Sequence, residues 1–172
     1  MRMPLAVWRL YRQALPQRAL HRPRLQPGPI RSIRLHADPS GNYQIRWSSP
    51  ARRVIELEVN CMTPGAWLGL HLPFRVSLFR PKAGIAFALR AAAIPPLPVY
   101  AVLRVPQGGA RFRDIPFDRP ALVLPQTGYH FGACSDPLPL SRWREFILFL
   151  PPAQDFCLTL HDLQLGHLPG RQ

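Results

Sequence analysis

A chain of 172 residues with 47% apolar side chains can bury one domain-sized core, which excludes wholesale disorder. Its 22 prolines recur along the whole length, against an ordinary usage of about 5%, and exclude long helices beyond residue 20. The formal charge of +13 arises from 22 basic and 9 acidic residues, and every basic residue but Lys82 is an arginine.

The charge is unevenly spread. Residues 1–36 hold eight arginines and no acidic group, which leaves the remainder at only +5. Arginine-favouring codon usage explains the arginine excess without invoking function. A functional arm is the alternative, with Arg9, Arg12, Arg18, Arg22 and Arg24 as candidates for binding an acidic partner, either nucleic acid or an anionic membrane surface. Cys61, Cys134 and Cys157 are an odd set without motif spacing, which points to a reducing compartment. No apolar run approaches the ~18–20 residues of a membrane-spanning helix, and the apolar stretch of MRMPLAVW is too short for a secretory signal. The expected location is cytoplasmic, peripheral to a membrane if the arm engages one; an arginine-rich, acid-free start also fits a transit peptide.

In chain order, residues 4–15 form the best helix candidate. Leu5, Trp8 and Tyr11 or Leu15 make one stripe, and Arg9, Arg12 and Arg18 the other side. Such a helix either lies on anionic lipid or packs on the domain. Residues 16–29 are an extended Pro- and Arg-rich linker. Residues 30–36 and 43–47 flank the turn signal Asp38-Pro-Ser-Gly-Asn42 and are expected to pair as a hairpin. The clearest alternation is 54-VIELEVN-60, where Ile55, Leu57 and Val59 oppose Glu56 and Glu58.

After a turn at 63–65 come strand patterns at 66–72, 74–80, 84–90 and 99–105, the last closed by a Gln107-Gly-Gly109 turn. Shorter segments follow at 112–115, 121–124 and 128–131. The strongest apolar stretch comes last. Residues 143–150 and 156–160 are two strands joined by a Pro-Pro turn, a pair that needs further strands to close a core. The whole predicts an all-β fold: an antiparallel two-sheet β-sandwich, jelly-roll-like, over residues 30–166. An arm with a short helix precedes it (1–29) and a tail follows (167–172).

Pro64-Gly-Ala-Trp67 entering an apolar strand, the Trp-bearing segment from Trp143 to Pro151, and the closing segment from Leu160 to Leu165 resemble galactose-binding-like β-sandwiches. More narrowly, they are similar to the non-catalytic sandwich region that precedes the catalytic domain in some bacterial family 2 glycosyltransferases. The resemblance implies a role near polysaccharide synthesis, with a glycan or a glycosyltransferase-type protein as partner. The Asp-x-Asp motif of the catalytic domain is absent from these 172 residues.

Glycan binding requires aromatic faces that stack on sugar rings, with polar groups alongside for hydroxyls. Tyr43, Trp47, Trp67, Tyr129, His130 and Trp143 are the candidates; each Trp could equally anchor the core. Tyr129, His130 and Phe131 stand between two glycines, a loop-like setting that favours exposure. Cys157, His161 and His167 have superficially metal-like spacing but lack a second close ligand pair, so no metal is expected. With no Gly-x-Ser-x-Gly elbow and no Gly-rich lysine loop, neither catalysis nor a cofactor is expected.

Overall fold

The computed structural model describes residues 8–9, 33–75, 85–109, 111–134 and 143–167. Among these residues there are twelve strands and no helix. In chain order they are β1 (Trp8–Arg9), β2 (Arg34–Ala37), β3 (Asn42–Ser48), β4 (Ile55–Thr63), β5 (Leu68–Arg75) and β6 (Ile85–Ile94). They continue as β7 (Leu97–Gly108), β8 (Arg111–Pro116), β9 (Ala121–Val123), β10 (Gly128–Cys134), β11 (Trp143–Leu150) and β12 (Phe156–His167). The first sheet has the order β10-β6-β12-β4-β3, with β1 also pairing β12; the second has the order β2-β5-β11-β7-β8, with β9 also on β7. Every pairing is antiparallel. The expected helix over 4–15 lies outside the described residues except at Trp8 and Arg9, which are strand.

Period-two burial builds this sandwich. Ile55, Leu57 and Val59 of β4 are buried while Glu56 and Glu58 between them are not. On β6 and β7 the same alternation buries Ile85 through Ala93 and Leu97 through Val105 at every second position. One continuous core results, to which both sheets contribute. The rings of Phe87 on β6, Phe146 on β11 and Phe117 meet edge-on or tilted, with centroids 4.9–5.7 Å apart, and join the two layers. Gly132 on β10 allows this approach, because a Cβ there would stand 2.3 Å from Phe87 Cε1.

Two expected pairings are replaced. The segments at 143–150 and 156–160 are not partners: β11 is the middle strand of the second sheet and β12 the middle strand of the first. The Pro151-Pro152 connection therefore crosses the sandwich, where Cys61 Sγ donates to Pro152 O and the Cys61 N–H donates to Asp155 Oδ1. Nor do β2 and β3 form a hairpin, since β2 pairs β5 and β3 pairs β4. The expected strand at 66–72 runs on through Pro73 as β5. The short segment expected at 128–131, in a setting read as loop-like, extends to Cys134 as an edge strand on β6.

The reason β2 leaves its neighbour is visible at the turn between them. Asp38 donates its N–H to Trp67 O, and its carboxylate accepts from Ser40 N–H at 2.9 Å and Ala66 N–H at 2.7 Å. The turn is thereby tied to the start of β5. These backbone hydrogen bonds, first from Ser40 and then from Ala66, hold the Asp38 carboxyl below its ordinary pKa. Because the native value lies below the unfolded one, the stabilisation is complete above the ordinary Asp range and is lost as pH falls through the native value. Asp38→Ala is expected to lower the thermal midpoint at neutral pH, and the gap to the wild type is expected to close on strong acidification. Circular dichroism melts across pH check it; a gap independent of pH would refute the assignment.

Candidate functional site

Outward-facing residues of a sandwich are ordinarily solvated, and on the second sheet several are not. Phe146, Leu148 and Leu150 of β11 face the core, so Glu145, Ile147 and Phe149 face away from it. Ile147 is nonetheless 0% exposed and Glu145 only 7%. On β5, Leu68, Leu70 and Leu72 face the core, and His71 between them is 6% exposed on the opposite face. Buried polar groups pointing away from the core are the mark of a floor rather than of a solvated surface.

Register assembles this floor in three cross-strand rows. Arg34, His71, Ile147, Val102 and Pro116 stand opposite one another across β2, β5, β11, β7 and β8. The row beside it runs Pro73, Glu145, Arg104 and Asp114. On the other side lie His36, Gly69, Phe149 and Tyr100. Tyr100 is 57% exposed, so its ring is accessible at this end. Residues from Arg34 to Phe149 thus reach one face because antiparallel pairing sets opposite residues on the same side.

The polar groups form a chain. His71 Nδ1 lies 3.1 Å from Glu145 Oε2, and Arg104 Nη1 lies 3.8 Å from the same oxygen. Arg104 donates through Nε and Nη2 to both oxygens of Asp114, each at 2.7 Å, a bidentate pair that raises the guanidinium pKa above its ordinary value. Arg104 also lies over the Phe112 ring, 6.0 Å from its centroid. The His36 ring meets His71 edge-on at 4.6 Å, and burial followed by the neighbouring His71 holds the His36 imidazole below its ordinary pKa. This arrangement offers hydrogen-bond acceptors on a dry floor beside an exposed aromatic ring. Among the described residues no group of three His, Cys, Asp or Glu side chains could hold a metal ion.

The expected ligand residues fall in different places. Tyr43 is 3% exposed, its ring belongs to the core, and its hydroxyl accepts from Gly65 N–H at 2.7 Å. Trp47 packs against the core from β3. Trp67, 37% exposed, immediately precedes β5. Trp143 opens β11, two residues before Glu145. Tyr129 is 65% exposed on the outer face of the first sheet, stacked against Phe131 with centroids 6.3 Å apart and planes 13° apart, opposite Arg90 and Ala88. His130 stands opposite the core residue Leu89, and burial lowers its pKa. Arg9 lies on β1, and Arg12, Arg18, Arg22 and Arg24 lie outside the described residues.

Sequence reading missed His36, His71, Tyr100, Arg104, Asp114 and Glu145. Two of them left a signal: Glu145 and His71 each interrupt an apolar strand, 143-WREFILFL-150 and 68-LGLHL-72, at a position that alternation turns away from the core.

No family model and no curated protein matches the sequence. Solved structures do match it. A CBM4 structure aligns at 12% identity with a TM-score of 0.55, covering 74% of this chain and 77% of the other. The CBM22-1 xylan-binding domain of Xyn10C from Paenibacillus barcinonensis aligns at 11% identity and TM-score 0.53, over 80% and 87% of the two chains. The C-terminal family 22 carbohydrate binding module of Xyn10B from Clostridium thermocellum aligns at 16% and 0.53, over 82% and 88%. At such identities the likeness is one of fold: this chain has the two-sheet antiparallel sandwich of those carbohydrate-binding modules.

Proposed function

We propose that this chain is a non-catalytic glycan-binding module whose ligand lies across the outer face of the second sheet. The observation that carries the reading is the burial of His71 and Glu145 on the side of the sheet that points away from the core. Glycan sites combine an aromatic face for the apolar side of a sugar ring with fixed polar groups for its hydroxyls. Tyr100 supplies an exposed ring next to that floor, and Trp143 and Trp67 stand on β11 and before β5, the strands that form it. The shared fold with carbohydrate-binding modules supports the same reading. The finer assignment, a module accessory to bacterial polysaccharide synthesis with a glycosyltransferase-type partner, is supported by the resemblance of the segments at 64–67, 143–151 and 160–165.

A glycan array probed with the folded full chain tests the proposal, and Tyr100→Ala tests the site. The variant is expected to bind the captured glycan about tenfold more weakly, equivalent to ~1.4 kcal/mol. Calorimetric titration reads the difference. A folded chain that captures no glycan on the array would end this reading.

A further inference from the structure

The two ring nitrogens of His71 have different surroundings. Nδ1 faces Glu145 Oε2 at 3.1 Å, and a carboxylate only accepts, so Nδ1 carries the proton. In the neutral ring Nε2 then presents a lone pair. That atom is buried and has no hydrogen-bond partner among the described residues, in a residue only 6% exposed. It stands over Gly69, where an added Cβ would lie 3.1 Å from it, so a side chain at position 69 would crowd the lone pair. Buried acceptors are normally satisfied, and one left open on the floor of a binding face calls for a donor from outside the chain.

We propose that His71 Nε2 accepts a hydrogen bond from a hydroxyl of the bound glycan, and that this floor selects neutral sugars over carboxylated or sulfated ones. The inference rests on the glycan-binding reading above. The remaining groups of the floor point the same way. Glu145 Oε2 lies 3.1 Å from His71 Nδ1 and 3.8 Å from Arg104 Nη1, and the carboxylate can only accept. The guanidinium of Arg104 is already matched by Asp114 and Glu145, so the three groups together carry one net negative charge. Arg34, opposite His71 on β2, is exposed, where its charge is screened. An acidic sugar would bring a further anion and only acceptors at its charged group; a neutral sugar brings a hydroxyl donor to Nε2. The selectivity is thus opposite to what the +13 charge of the whole chain suggests.

The test is displacement from the folded full chain. Xylohexaose, cellohexaose and mannohexaose are titrated by calorimetry, and an excess of trigalacturonate is then offered as competitor to whichever binds. The expected result is that a neutral hexasaccharide binds and trigalacturonate fails to displace it. His71→Asn keeps an amide N–H for Glu145 but has no acceptor at the Nε2 position, and is expected to weaken binding about tenfold. His71→Gln places a carbonyl oxygen near that position and is expected to recover most of the loss, which a merely structural role for the ring would not produce. Displacement by trigalacturonate as effective as by a neutral sugar overturns the inference, as does full affinity in a folded His71→Asn chain. If a folded wild-type chain binds none of these sugars, acidic or neutral, the glycan-binding reading falls first.

Discussion

Phe146→Ala is expected to cost ~3–5 kcal/mol of folding stability, in the upper range for core truncations. Phe146 is 0% exposed, sits on the middle strand of the second sheet, and meets Phe87 of the first sheet at 5.3 Å and Phe117 at 5.7 Å. Its removal leaves a cavity between the layers that two aromatic neighbours already in contact with each other cannot collapse to fill. With domains stable by only ~5–15 kcal/mol, that is a large share of the whole. Urea denaturation followed by fluorescence measures it, with Phe149→Ala as the comparison: the same residue type on the same strand, half-buried and turned away from the core. Similar losses for the two variants would mean that the core does not sit where the alternation puts it.

Glu145→Ala is expected to act on stability and on binding together. The buried His71 Nδ1–H loses its acceptor, an orphaning that costs ~1–3 kcal/mol. Arg104 is affected less, because its bidentate partner Asp114 remains. Relief from desolvating a carboxylate works in the opposite direction, but truncating one member of a buried pair leaves the other uncompensated, and that effect dominates. Glycan affinity is expected to fall by more than tenfold, since the imidazole loses its orientation and the floor loses an acceptor. A double-mutant cycle with His71→Ala, read by denaturation, should give a coupling of ~0.5–3 kcal/mol. Additive single effects would show that the two side chains do not act as a unit.

The sandwich was legible because its signal is local. Glu56 and Glu58 between Ile55, Leu57 and Val59 declare a half-buried strand without reference to anything else in the chain. The break in β12 left a trace that the reading passed over: Leu160 and Leu163 are three apart where the period is two, and the register of β12 against β6 shifts between Leu160 and Asp162. The exposure of Tyr129 was legible too, although not its cause: flanking glycines suggest a loop, yet Gly132 is required in a strand by the approach of Phe87. The candidate site was nearly illegible. A single Glu in an apolar run looks the same whether its strand end is solvated or lies on a dry floor.

What the sequence determined by itself is the class of fold: twofold alternation bounded by turn residues permits antiparallel sheets and little else. Which strand lies beside which was decided only by the tertiary structure, because pairing depends on contacts far apart in the chain. The alternation of β11 and β12 is the same whether they share a hairpin, as expected, or become the centres of opposite sheets, as observed. That choice brings His36, His71, Tyr100, Arg104, Asp114 and Glu145 onto one face, from five strands spread over more than a hundred residues. Local pattern sets which side of its own strand each residue takes; only the assembled sheet sets what stands opposite and whether water reaches it.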